Sequence, residues 1–160
     1  MAVLPLKTIG DPILRSEAKE VENVNERTRE IIKNMKDTLH ENEGLGLAAN
    51  QVGILQQIAV ISIEDEEIVL INPEIVEKEG RKLMEEGCLS VPGRQGAVPR
   101  AEEITVEYWN EEEDQQSRKF SDLAARVIQH EIDHLKGELF VDKVVDISSV
   151  APEKEPESLE

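Results

Sequence analysis

At 160 residues the chain has room for one domain with one sizeable core. Its net charge of −17 repels nucleic-acid phosphates and anionic membranes, which argues against a direct role in binding either. One cysteine excludes an internal disulfide and fits a reducing compartment; Met1 to Leu6 carry no charged leader, and no stretch approaches the roughly 18 apolar residues of a membrane helix, so a cytoplasmic protein is expected.

The first 22 residues are punctuated by turns, with Gly10-Asp11-Pro12 ahead of Ile13-Leu14. From about Asn25 to Asn42 the pattern is helical, with Thr28, Ile31, Ile32, Met35 and Leu39 on one face and charges on the other. Such a helix backs a sheet, and Gly44 announces its end. The next stretch, Gly44 to Gly53, is small, apolar and too rich in glycine for a helix. It reads either as a plain loop on the core or as backbone that another group approaches closely. A third spaced glycine and a preceding strand are missing, so it is not a nucleotide fingerprint.

Short β-branched runs follow at Ile58 to Ile63, Ile68 to Asn72 and Glu74 to Glu79, separated by acidic turns, as in an antiparallel meander. Gln95 to Val98, Ile104 to Trp109 and Ser117 to Phe120 read as further strands. With only four aromatic residues, the core is built from Ile, Val, Leu and Ala.

Ser121 to Leu135 is the second helical run, with Ser121 as N-cap and Gly137 placed to end it in a left-handed turn. Leu123, Val127, His130 and His134 form one stripe, Ala124, Ile128, Glu131 and Leu135 the next. Asp122, Arg126, Gln129, Asp133 and Lys136 fall on the face expected to meet solvent. A glutamate between two imidazoles on an apolar stripe is costly unless something compensates its charge. A divalent metal does so simply: two His four apart on a helix reach one ion, and the Glu between them stands beside its water. The plainer alternative is a structural pair of histidines.

An open site needs a third protein ligand. His40 lies on the first helix and offers no constellation. Cys88, in Glu86-Gly87-Cys88-Leu89-Ser90-Val91-Pro92, is the stronger candidate. Although a lone cysteine is more often an inert core residue, this one sits in a strand-like turn that can present its sulfur.

Together these residues resemble the peptide deformylases, whose signature segments are a G-x-G-x-A-A-x-Q loop, an E-G-C-x-S turn and an H-E-x-D-H helix. Gly44 to Gln51, Glu86 to Ser90 and His130 to His134 match them completely and in order, and the likeness runs from about residue 7 to 142. It implies one divalent metal on Cys88, His130 and His134, usually Fe²⁺, with Zn²⁺, Ni²⁺ or Co²⁺ able to replace it. It further implies Glu131 as general base, Gln51 and the backbone N–H of Leu89 as oxyanion donors, and Leu45, Gly46, Leu123 and Val127 as the methionine pocket. Glu86 and Arg100 are expected to pair in support of the cysteine turn, and Asp133 is expected to be structural or to support the ligands, not to be catalytic. The substrates implied are formyl-methionyl nascent peptides.

The expected fold is α+β, with short antiparallel strands around a central metal-binding helix and a long N-terminal amphipathic helix. The catalytic domain is expected at residues 1–147 and an acidic, mobile tail at 148–160. Many bacterial deformylases have a further helix there that docks at the ribosomal exit; the proline-broken tail departs from that pattern, leaving at most transient ribosome proximity. Two rivals stand beside this reading. An endopeptidase of the H-E-x-x-H kind would need a downstream ligand such as Glu138, and a non-catalytic protein would close its metal site.

Overall fold

The computed structural model describes residues 2–145. The expected boundary at 147/148 and the acidic tail lie outside the described residues. Within them the architecture is α+β: a five-stranded antiparallel sheet, a separate two-stranded hairpin and two α-helices. None of these helices is long and apolar enough to cross a membrane.

Helix α1, Glu26–Glu41, begins where the Asn25 side chain accepts a hydrogen bond from the Thr28 N–H. Its buried residues, Thr28, Ile31, Ile32, Met35, Thr38 and Leu39, recur at helical spacing. The large sheet has the order β1 (Gly46–Ala48), β2 (Ile58–Ile63), β3 (Glu66–Glu79), β6 (Glu103–Trp109) and β7 (Gln115–Ser121). β2 decides how the layers stack, because both of its faces are apolar. Ile58 and Val60 join Ile31, Ile32, Met35 and Leu39 under α1. Ala59, Ile61 and Ile63 face the other way and pack with Ala125, Ile128 and Ile132 of α2, Asp122–Leu135. The sheet is therefore sandwiched between the two helices, and alternation along a single strand assigns each side chain to its layer.

Several strands differ from the sequence reading, among them β1, which falls in the glycine-rich stretch, and β7, which is longer at both ends than Ser117 to Phe120. The runs Ile68 to Asn72 and Glu74 to Glu79 form one strand, β3, pairing with β2 and then with β6. The break in the pattern is an irregularity at Asn72, whose φ is 53° and whose side chain bonds both the N–H and the carbonyl of Val21. The strand at Gln95 to Val98 lies inside a longer β5, Val91–Arg100. Its partner β4, Lys82–Cys88, was not expected at all, because KLMEEGC contains no β-branched residue. Pairing with β5 supplies the order that its local propensity lacks.

The exposed face assigned to α2 also needs correction. Arg126 and Gln129 are buried, whereas Leu123 is 43% exposed. Gln129 closes two hydrogen bonds with the Ala101 backbone, and Arg126 reaches the hairpin. The hairpin covers this side of the helix, and no periodicity rule can anticipate a neighbour from forty residues upstream. Ser121 occupies the N-cap position, but its hydroxyl makes no capping bond.

Gly137 ends this region with φ of +80°. A Cβ there would stand 2.6 Å from the Arg15 carbonyl oxygen, which is backbone and cannot swing aside. Gly137→Ala is therefore expected to cost more than about 1 kcal/mol of stability, read from the denaturation midpoint.

Candidate metal centre and active site

α2 carries three of the four residues at the centre: His130, Glu131 and His134 are all buried. The fourth, Cys88, ends β4, just after a register shift between Glu86 and Cys88 that turns its sulfur toward the helix. The potential ligand atoms of Cys88, His130 and His134 lie within 4.8 Å of one another, and Cys88 Sγ is 3.3 Å from His134 Nε2. Gln51, in a 3-10 turn at Ala49–Val52, brings its amide to the same place. Its Oε1 accepts from the Ala48 N–H, while Nε2 lies 3.6 Å from Cys88 Sγ and 3.1 Å from Ser90 Oγ.

Glu86 organises the hairpin side. Its Oε1 accepts from His130 Nδ1 at 3.0 Å and from Arg100 Nη2 at 3.0 Å. Its Oε2 accepts from Arg100 Nε at 2.9 Å and also from Arg126 Nη1. Asp133 takes the remaining arm of Arg100, so it belongs to this network and not to the ligand cluster. Burial would raise the Glu86 pKa, but the hydrogen bonds from His130 and Arg100 outweigh it and hold the carboxyl at about 2. With Nδ1 committed to Glu86, His130 has Nε2 left for a ligand.

The two histidines respond to the centre in opposite senses. Burial alone would lower the His130 pKa; its bonds to Cys88 and Glu86 prevail and raise it to about 10. His134 moves the other way, pushed down by burial and by its charged neighbour. Burial raises Glu131 to about 7, and its buried Oε1 has no hydrogen-bond partner in the protein. A thiol, two imidazoles and a buried carboxyl around one point fit a borderline-soft divalent cation, by donor type and by charge.

A cavity of about 680 Å³ opens onto the centre. Gln51, Cys88, Leu89, His130 and Glu131 line it, as do all four residues of the expected methionine pocket, Leu45, Gly46, Leu123 and Val127. The glycine segment accounts for its composition here: a Cβ on Gly46 would fall 2.7 Å from Glu131 Oε2 and 2.8 Å from Val127 Cγ1. His40 lies elsewhere, beside Glu67. Glu138, one of the downstream acids a peptidase could draw on, pairs with Lys143 at 3.1 Å, and the others, the tail glutamates beyond Pro152, lie outside the described residues.

Sequence reasoning placed Arg126 and Gln129 on the solvent face and, though it picked out Ser90 in the cysteine turn, gave it no partner; Ser90 Oγ accepts from Gln51 Nε2. One signal was available for Arg126: it precedes His130 by four residues and so shares its side of the helix.

The family model described as Polypeptide deformylase matches residues 3–150. Among curated relatives, a peptide deformylase of Halothermothrix orenii is 49% identical over 149 residues, spanning 92% of this chain and 97% of that one. The crystal structure of peptide deformylase from Thermotoga maritima superposes with a TM-score of 0.89 at 37% identity, covering 91% of this chain and all of the other. A Met-Ala-Ser-bound class I type b peptide deformylase from Acinetobacter baumannii gives 0.86 at 35% identity, over 89% and 99% of the two chains.

The depressed pKa of Glu86 has a thermodynamic consequence. A carboxyl at 4.5 when unfolded and at about 2 when folded contributes its full stabilisation above pH 4.5 and loses it as pH falls toward 2. In denaturant titrations of parent and Glu86→Gln, the stability gap is expected to narrow across that window.

Proposed function

The chain belongs to the polypeptide deformylase family, and on that premise we propose that it hydrolyses the N-formyl group from the initiator methionine of newly made polypeptides, releasing formate. The observation that carries the reading is a Cys-His-His donor cluster set at the side of a cavity that a buried carboxyl, a side-chain amide and an apolar wall also line. Cys88, His130 and His134 would hold one divalent metal. Family resemblance makes Fe²⁺ the first choice, and the donor set equally suits Zn²⁺, Ni²⁺ or Co²⁺. When bound, such a cation supplies a Lewis acid that lowers the pKa of a coordinated water toward about 7.

The protein's own groups do the rest. Glu131 Oε1, buried and without a protein partner, accepts the proton of the attacking water. Water oxygen adds to the formyl carbon, and the carbonyl oxygen takes up negative charge. Gln51 Nε2 and the Leu89 N–H donate to that oxygen. Glu131 then returns its proton to the amine nitrogen as the C–N bond breaks, so that formate and a free N-terminus leave. Leu45, Gly46, Leu123 and Val127 enclose the methionine side chain, and the half-exposed Leu45 and Leu123 stand at the mouth where the peptide continues outward. The Met-Ala-Ser ligand of the Acinetobacter protein agrees with a methionine-first peptide as occupant. The partners proposed are thus formyl-methionyl nascent chains, met by transient proximity to the ribosome, with no direct nucleic-acid or membrane binding. A lone free cysteine placed as a ligand fits the reducing cytoplasm.

The test is formate release from a formyl-methionyl peptide by protein prepared without oxygen and loaded with Fe²⁺ or Ni²⁺. Glu131→Gln is expected to retain metal and to lose about 10²- to 10⁴-fold in kcat. Cys88→Ser is expected to lose the metal itself, seen by elemental analysis after gel filtration. A parent that holds metal and releases no formate would refute the reading.

Gly46→Ala probes the same carboxyl from the opposite side. Gly46 is not in the left-handed region, so alanine suits its backbone, yet its Cβ would press on Glu131. The variant is expected to fold and bind metal normally while kcat falls at least about tenfold, because displacing a proton acceptor by even 1 Å is costly.

A further inference from the structure

Nothing in the proposed chemistry uses Arg126, yet it is among the most committed side chains of the molecule. It is 6% exposed and donates across a gap between elements. Nη1 reaches Glu86 Oε2 and, at 3.0 Å, the Val98 carbonyl in β5; Nη2 reaches the Lys82 carbonyl at the start of β4 at 2.7 Å. One guanidinium on α2 therefore grips both strands of the hairpin and the carboxylate between them.

The hairpin needs such a grip. β4 and β5 pair only with each other and are not part of the five-stranded sheet, so no backbone ladder ties them to the layer beneath α2. Their apolar anchor is small: Val91, Val98 and Phe140, with Cys88 and Val141 at its margin. Yet the hairpin delivers Cys88, while α2 delivers His130 and His134. The distance from sulfur to imidazoles is thus a distance between two elements joined mainly by polar side chains. The Ile9 and Val145 N–H groups reach the carbonyls of Ser90 and Ala97, and from α2 Gln129 holds Ala101 just beyond β5. His130 and Asp133 contribute through Glu86 and Arg100, but among the described side chains of α2 it is Arg126 that bonds backbone carbonyls of both β4 and β5.

We propose that Arg126 is the positioning residue that holds the β4–β5 hairpin on α2 and thereby sets Cys88 at ligand distance from His130 and His134. The proposal rests on the metal site described under Proposed function. Its basis is the planar fork of arginine, which can meet two carbonyls and a carboxylate in one plane; a lysine ammonium carries the same charge but cannot span both strands.

The experiment uses the full chain, with Co²⁺ as probe. Two quantities are measured: the Co²⁺ dissociation constant by competition with a chromophoric chelator, and the sulfur-to-cobalt charge-transfer absorption. Arg126→Met is expected to weaken Co²⁺ about 10- to 100-fold, the range for groups that orient a ligand without touching the metal, and to diminish the sulfur band. Ile128→Val removes one methyl from the fully buried core of the same helix and controls for general loosening; it should keep parental affinity and band. Arg126→Lys keeps the charge and loses the fork, so it should side with Arg126→Met, and it preserves the test if the methionine variant folds poorly. Parental affinity and band in either Arg126 variant would overturn the proposal. A parent that binds Co²⁺ with no sulfur band would overturn the metal reading, and this inference with it.

Discussion

The Glu86 carboxylate, taken up by Arg100, Arg126 and His130, is the interaction on which the rest of the site depends. A buried carboxylate is costly to strip of water unless every lone pair is used, and breaking one arm of such a cluster costs about 3–5 kcal/mol because the partners stay buried. Here the acceptor capacity is used fully, by donors from β5 and α2. The result is geometric as well as energetic. A saturated carboxylate has little freedom to rotate, so it fixes the His130 ring and, through the hairpin that carries it, the approach of Cys88.

Glu131 is the counterpart. It lies one residue from His130 on the same helix, but with an unpaired buried oxygen where Glu86 has none. The two carboxyls consequently move in opposite directions, one to about 2 and the other to about 7. Environment alone separates a carboxylate that serves as a fixed anchor from one that can accept and return a proton. The glycine segment makes room for the second, since a side chain at Gly46 would occupy the space of the carboxyl.

The layered core supplies rigidity. α2 is pinned by Ile128 and Ile132 to the sheet, and its C-terminal end is tied back to the N-terminal segment by the Ala18 N–H to Leu135 carbonyl bond. His130, Glu131 and His134 are thus mounted on a helix with little room to shift. The hairpin that completes the site shares no strand ladder with the sheet; charge-assisted hydrogen bonds, a small apolar cluster and single backbone bonds from Ile9 and Val145 hold it.

Local pattern in the sequence by itself determined the amphipathic faces of α1, the β-branched strands, the i, i+4 pair of histidines with its intervening glutamate, and the oddity of a glycine-rich apolar stretch. These were legible because helical and strand periods act between near neighbours, and because a charged group on an apolar stripe demands an explanation wherever it sits. Three matters were decided only by tertiary structure: that β4 forms despite weak propensity, that Arg126 and Gln129 are buried while Leu123 stands at the cavity mouth, and that Glu86, beyond its expected pairing with Arg100, gathers a second arginine and a histidine. Each depends on a partner far away in sequence. Burial of one helix face is set by whatever packs on it, and for α2 that covering is a hairpin whose position no local period encodes.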